Sequence, residues 1–521
     1  MLTSYNNFFL KSNTIFYIIL FLFSFFINFF YANLGVFPID TFFHYDGAFR
    51  ILKGEYPIKD FWIVSGLTID LIQSLFFKIL GVNWTAYIFH SSLFNFLVSL
   101  TVFHFFRYIE IERIPSLFFS CCFSILAYTI SGTPFVDHHA AFFLLIGTFL
   151  LMLGIDNERN SVWFFAVLLY FFSFLTKQVP AAYLIITHGL IVIAYLIHHK
   201  KINLFKHLLI SIIIIILLFL FLLFYLNIDL KNFFIQYLDY PRSIGTNRFT
   251  NFQFSFEGFF NHYKYIILPL VIIIFILKIK VKKEVRIFFN KKIYIYLIFM
   301  LYIISMILHQ IMTKNQIYIY FLIPIIFGIL YSEFRLLNFK YKKFTLNVIL
   351  IALLLITSKY HIRFNENRKF HELETTTLSE GISAKKINQS LDGLKWINPF
   401  FKGKPNEEIN LIKNGINLLN QEKDEIMLIT HYLFLDSITK KNLNYPNRSF
   451  TNDGASMPLK GNRYYKYYEN FLLNKINKLK IKKILFFKHE NIPHISITNY
   501  LNKKCVTRDV NEIFFIFRLS C

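Results

Sequence analysis

The chain has 521 residues, of which 55% are hydrophobic, 20% are aromatic and only 17% are charged. Its many uninterrupted apolar runs exclude an ordinary soluble domain and predict a polytopic membrane protein. The net charge of +24 could suggest nucleic acid. However, the basic residues are spread along the chain and no basic segment carries a nucleic-acid motif, so we expect no nucleic-acid partner.

Eleven apolar runs of roughly membrane-spanning length predict a mainly α, polytopic helical bundle. The first run is too long for a cleaved signal core and lacks a small-residue cleavage site, so it is interpreted as a retained helix. The amphipathic segment 65–81 is predicted to lie along the membrane interface. The runs are 14–33, 84–106, 115–131, 139–155, 162–176, 179–197, 208–226, 263–277, 293–312, 317–331 and 344–358.

The Lys and Arg residues of the connecting loops predict the orientation of the bundle. If the N-terminus is cytoplasmic, the inside loops carry 17 Lys and Arg in 51 residues, whereas the outside segments carry 9 in 99. This difference favours a cytoplasmic N-terminus. An odd number of helices then places the region after Tyr360 outside.

The C-terminal region, 361–521, differs in character from the membrane part, 1–360. Polar helix-like stretches such as "EEINLIKNGINLLNQ" alternate with the short apolar runs "EIMLIT", "KKILFF" and "EIFFIF". This alternation predicts a small extracytoplasmic α/β domain. A Cys505–Cys521 disulfide would be permitted outside the cell, but two free thiols fit the sequence as well. Cys121 and Cys122 lie in an apolar run and are expected to be packing residues.

Three aspartates follow the first apolar run, in "FPIDTFFHYDGAFRILKGEYPIKDFW". Carboxylates are costly near hydrocarbon, so Asp40, Asp46 and Asp60 need an explanation. Asp40 and Asp60 could be helix caps. Asp46 and Arg50 could form only a helix-surface pair, because their spacing is i,i+4.

The other outside loops carry further unusual polar residues. "TPFVDHH" places Asp137, His138 and His139 at the start of a later helix, where they could be a cap and two interfacial residues. Adjacent histidines on a helix point about 100° apart, so a shared metal ion is not expected. Because acids and bases gather at one membrane face, the loops together favour a functional site. The basic residues on this face are Lys177, in "TKQ", and Arg242 and Arg248, in "LDYPRSIGTNRF".

These features resemble the membrane-embedded glycosyltransferases of the C type, which include the protein O-mannosyltransferases and the aminoarabinose transferases of lipid A. The shared features are an apolar first helix, an Asp shortly after it, a helix ending in Gly and a Pro/Asp element, here "DTFFHYDGAFRILKGEYPIKDF". A second Asp begins a later helix in "TPFVDHH", a "TKQ" turn follows, and a soluble outside region trails the membrane part.

The resemblance implies a glycosyltransferase of a bacterial inner membrane. A polyprenyl-phosphate-linked sugar would be the donor, and a glycan, lipid or protein would be the acceptor. One-step attack of the acceptor hydroxyl would invert the anomeric centre, with Asp40 as the leading catalytic carboxylate, Asp46 as a close second and Asp137 in support. A divalent metal could supply part of the positive charge, although the sequence requires no cofactor. The expected substrate-binding residues are Arg50, Asp60, His138, Lys177, Arg242 and Arg248.

Two other classes of protein remain open at this stage. A transporter or flippase of a lipid-linked saccharide would carry polar residues at mid-membrane depth and often internal repeats. The sequence has no evident half-to-half repeat. A non-enzymatic envelope assembly protein would not need acids and bases clustered on one face.

Overall fold

A computed structural model describes residues 2–250, 255–281, 290–313, 318–401, 403–451, 453–490, 492, 497–501 and 506–520. Within these residues the fold is mainly α, as the apolar periodicity predicts. The helices of the membrane part, in chain order, are α1 (Leu2–Ala32), α2 (Pro38–Thr41), α3 (Phe43–Leu52), α4 (Leu67–Leu80), α5 (Trp84–Tyr108), α6 (Arg113–Leu126), α7 (Val136–Asn157), α8 (Asn160–Thr176), α9 (Gln178–His198), α10 (Ile202–Tyr225), α11 (Leu230–Phe233), α12 (Tyr240–Thr250), α13 (Phe256–Val281), α14 (Lys291–Thr313), α15 (Leu322–Arg335) and α16 (Lys342–His361).

In the described part of the chain, nine helices are long and apolar enough to cross a membrane. They coincide with nine of the eleven predicted runs. The other two runs, 162–176 and 317–331, are also helical, but they form the shorter α8 and α15, of 17 and 14 residues. These nine helices fit an integral membrane protein.

Contacts between distant segments group the loops at the two ends of the bundle. At one end, Gly66 N–H donates to the Thr176 carbonyl at 2.6 Å, and the Gln178 amide donates to the carbonyls of Val64 and Tyr237. At the other end, Glu158 pairs with Lys201 and Lys291. Three of the segments predicted to lie outside, 34–83, 177–178 and 227–262, therefore meet at one end, which is called the site end below.

The C-terminal region forms a four-stranded mixed sheet with two long helices. Its elements are α17 (Pro405–Gln421), α18 (Leu435–Ile438), α19 (Tyr465–Lys478), β1 (Ile382–Ser383), β2 (Lys395–Trp396), β3 (Ile426–Ile429), β4 (Lys483–Phe487), β5 (Val506–Val510) and β6 (Phe514–Leu519). The strand order is β3-β4-β6-β5, with β3 and β4 parallel and the other pairs antiparallel. The three predicted strands are confirmed, whereas β5, whose residues are mostly exposed, gave no apolar signal.

This region shares a hydrophobic core with the first outside segment instead of standing apart. Gly35 and Val36 donate backbone hydrogen bonds to Lys395 and Ile397, and Trp62 donates one to Pro446. Most of the buried apolar side chains of residues 32–87 join those of 384–517 in one continuous cluster. The C-terminal region therefore packs against the first outside segment as well as following α16 along the chain.

The described residues include two of the four cysteines. Cys122 is buried in α6 and Cys121 is half-buried, and both are free, as expected for packing residues. Cys505 and Cys521 lie outside the described residues.

Candidate active site

Asp40 lies in the one-turn helix α2, which begins with proline at its first position. Phe42 lies between α2 and α3, and no side chain caps the start of α3. The sequence suggested that Asp40 could be that cap, but its carboxylate has no hydrogen-bond partner among the described residues. Tyr87 donates to the Thr41 carbonyl at 2.7 Å and fixes the junction. Asp40 is half-buried, and its backbone N–H donates to the Phe37 carbonyl at 2.9 Å.

The surroundings of Asp40 raise its pKa to about 7. Burial is the largest cause, because it disfavours the charged form, and the negative charges of Asp137 and Glu372 act in the same direction. Lys177 opposes them. A carboxylate with a pKa near neutrality suits proton transfer at neutral pH, because it can both accept and release a proton.

Asp137, at the first turn of α7, is the second acid of this site. The Lys177 ammonium donates to its carboxylate at 2.6 Å, and His309 Nε2 lies 3.2 Å from the same oxygen. Asp137 is almost fully buried, whereas Lys177 is about one-fifth exposed. The structure therefore brings together Asp40, Asp137 and Lys177, three residues that the sequence singled out in separate loops.

Glu372 and His309 belong to the same cluster but were missed in the sequence. Glu372 follows α16 and is exposed, with a positive φ of 57°. Four residues before it, the buried Arg368 guanidinium donates to the carbonyls of Leu34, Thr129, Ile130 and Ser131. No sequence motif identifies Glu372 and His309, because both lie 172 or more positions along the chain from Asp137.

Asp46 belongs to a different network, on the far side of α3. Its carboxylate is buried and lies 3.8 Å from Arg50, whose guanidinium binds Glu55 at 2.5 Å and stacks on the Phe61 ring. The positive charge of Arg50 acts to lower the pKa of Asp46. Burial raises the pKa of Asp46 well above its usual value and outweighs the distant cation. Asp46 and Arg50 are thus separated from the Asp40 cluster.

A third buried group joins the C-terminal region to α3 and α4. Asp70 accepts hydrogen bonds from His44 at 2.5 Å and from Arg448 at 2.7 Å. Gly47 makes room for this group, because a Cβ there would lie 2.7 Å from Asp70 Cγ. The helix predicted at 65–81 is confirmed as α4. No feature of the sequence indicated that Asp70 would be buried in an ion pair.

The remaining predicted residues lie around this core. The Asp60 carboxylate accepts from the Tyr56 backbone N–H at 2.9 Å, as a turn cap would. His139 bonds Tyr128 and His90, whereas the His138 ring lies among Tyr128, Phe135 and Phe142, so the two histidines do not converge. Arg242 is exposed on α12. The Arg248 side chain lies outside the described residues.

No group of three or more His, Cys, Asp or Glu with metal-binding geometry is found in the part of the chain that the structure describes. Comparisons of the chain with known protein families and with curated proteins find no match.

Proposed function

We propose that this protein is a membrane glycosyltransferase. It transfers a sugar from a polyprenyl-phosphate-linked donor to a glycan, lipid or protein acceptor at the outer face of the membrane. The observation that carries the proposal is the Asp40 carboxylate, which is half-buried, has no hydrogen-bond partner among the described residues, has a pKa of about 7 and lies beside the Asp137–Lys177 pair. The resemblance to the C-type glycosyltransferases supports it.

In the proposed reaction, Asp40 accepts the proton of the acceptor hydroxyl while that oxygen attacks the anomeric carbon. The bond from this carbon to the phosphate oxygen breaks, so the anomeric centre inverts and polyprenyl phosphate leaves. Lys177 lies close enough to Asp40 to lower its pKa and offers a cation to the departing phosphate. Asp137 holds the Lys177 ammonium, and Asp40 then releases its proton to water.

The proposal extends to topology. Eleven crossings are made by the nine long helices together with α8 and α15, with the N-terminus in the cytoplasm of a bacterial cell. The α/β region from residue 361 onward is an extracytoplasmic domain, and the site end faces outward. The low density of Lys and Arg in the loops at this end supports this orientation.

Deletion of the gene followed by complementation tests the proposal. Without the enzyme, its polyprenyl-phosphate-linked donor should accumulate, and mass spectrometry of extracted lipids identifies that donor. Asp40→Asn should leave the donor accumulated, because loss of a general base typically costs about 10²–10⁴-fold in rate. Asp392→Asn, which changes an exposed aspartate paired with Lys385, is the matched control and should restore the wild-type lipid profile. Restoration by Asp40→Asn at equal expression would contradict the assignment of Asp40 as the base, and a deletion strain without an accumulated donor would contradict the transfer reaction itself.

A further inference from the structure

A groove of about 400 Å³ opens beside the first outside segment but does not include Asp40, Asp137 or Lys177. Three distant parts of the chain form it, namely the turn after α3, the start of α11 and the C-terminal region. The first outside segment and the C-terminal region are also joined beside it, because Lys475 Nζ donates to the carbonyls of Asp60 and Tyr445 at 2.7 and 3.0 Å. The lining residues are Glu55, Lys59, Asp60, Asn232, Asn444, Phe471, Asn474, Lys475, Lys478 and Leu479.

The turn that forms one wall is held in an unfavourable conformation. Ile58 has a φ of 74°, a region that β-branched residues rarely adopt. Its N–H donates to the Phe61 carbonyl, its carbonyl accepts from Gln236, and Asp60 caps the turn at Tyr56. Such strain persists where the surroundings over-determine it, often at ligand sites.

The lining of the groove indicates the class of ligand. Eight of its ten residues carry polar groups that can bond to hydroxyl groups, whereas Phe471 and Leu479 contribute apolar surface. Lys59, Lys475 and Lys478 are nearly balanced by Glu55 and Asp60, so the groove does not favour a highly charged ligand. Burial lowers the pKa of Lys475 to about 7, which reduces the positive charge further. The three asparagines both donate and accept hydrogen bonds, as sugar hydroxyl groups require.

The position of the groove relates it to Asp40. Asp40 precedes α3 and the groove begins just after α3, at Glu55. A helix of ten residues is about 15 Å long, so the two sites are separated by more than one sugar unit. A ligand that reached both would have to be an extended chain.

We propose that this groove binds a neutral oligosaccharide of several sugar units, which is the acceptor of the transfer reaction. This inference rests on the proposed function, since it names the acceptor class of that reaction. The groove holds the acceptor chain at a distance from the bond that forms. A change in the groove would therefore affect binding of the acceptor without affecting binding of the donor.

Binding of defined neutral hexasaccharides to the purified full-length protein tests the inference. The probes are maltohexaose, cellohexaose, chitohexaose and α-1,6-mannohexaose, measured by saturation-transfer NMR and titration calorimetry. At least one should bind, and the double variant Asn474→Ala/Lys478→Ala should weaken that binding about tenfold, because it removes two hydrogen-bonding side chains. Asn477→Ala, which changes an exposed asparagine of the same helix outside the groove, should bind as the wild type does.

The same measurements separate this inference from the proposed function. Asp40→Asn should bind the hexasaccharide normally, because Asp40 lies outside the groove. If Asp40→Asn cells also lose sugar transfer, both proposals stand, and if they keep transfer, only the catalytic assignment fails. The groove proposal is overturned if none of the four probes binds, or if binding is insensitive to the double variant.

Discussion

Two carboxylates near Lys177 differ in how they are held. Asp137 is bonded to Lys177 and lies beside His309, whereas the Asp40 carboxylate has no hydrogen-bond partner in the described structure. A carboxylate that is positioned but not bonded is free to accept a substrate proton. This contrast assigns proton transfer to Asp40 and support to Asp137 within the proposed mechanism.

The pH dependence of transfer should report the ionisation of Asp40. Activity is expected to rise with pH and to level off above about pH 7, because the base must be unprotonated. Lys177→Gln removes a cation that favours the carboxylate, so the pKa rises and the limb moves to higher pH. Asp137→Asn removes an anion that disfavours it, so the limb moves to lower pH. Initial rates from pH 5 to 9 measure both shifts.

Opposite shifts are what a merely structural role would not produce. Loss of folding lowers the rate at every pH without moving the limb. The assignment of Asp40 fails if neither variant moves the limb, or if both move it in the same direction. Thermal unfolding provides the folding control.

A raised Asp40 pKa adds stability that is complete below about pH 4 and is lost as the pH rises through 7, so Asp40→Asn should be at least as stable as wild type at pH 8.

At the scale of single elements, the contact of α3 with α4 depends on Gly47. Alanine normally stabilises a helix relative to glycine by about 0.5–1 kcal/mol. At Gly47, however, the new methyl group would lie 2.7 Å from Asp70, and His44 and Arg448 hold that carboxylate in place. We expect Gly47→Ala to lower the free energy of unfolding by about 1–3 kcal/mol, as overpacking does.

Gly189→Ala is the matched control for this prediction. Gly189 lies inside α9, and a Cβ there would meet no atom within 4 Å. The control should therefore raise the unfolding temperature slightly, while Gly47→Ala lowers it. Thermal unfolding in detergent compares the two variants. Equal effects would mean that the Asp70 group tolerates displacement.

The sequence predicted elements better than it predicted contacts between them. Apolar runs and loop alternation were enough to find the helices and to place Asp40, Asp137 and Lys177 at one end of the bundle. They could not reveal Glu372 or Arg448, because these residues reach the site end only through the tertiary packing of the C-terminal region. Nor could they rank burial against charge at Asp46, since i,i+4 spacing leaves the solvent exposure of a pair undetermined.

At the scale of the whole molecule, the C-terminal region contributes residues to the site end. It contributes Glu372 near Asp40 and pairs Arg448 with Asp70. Trp62, which is only 1% exposed, packs against Tyr468 and Phe471 of α19. Burial of an aromatic side chain of this size stabilises an interface by about 1.5–3 kcal/mol. These contacts predict that the two parts stay together without a covalent connection.

A protease site inserted after Thr377, in an exposed segment of the C-terminal region that precedes all of its strands, tests this prediction. After cleavage, fragments 1–377 and 378–521 should co-elute in size-exclusion chromatography, because they share one hydrophobic core. Trp62→Ala should lower the temperature at which the cleaved halves separate, since it leaves a cavity against α19. A C-terminal region that only hangs from α16 would instead elute alone immediately after cleavage. That result would remove the physical basis for the Asp70–Arg448 pair, because Arg448 belongs to the released fragment.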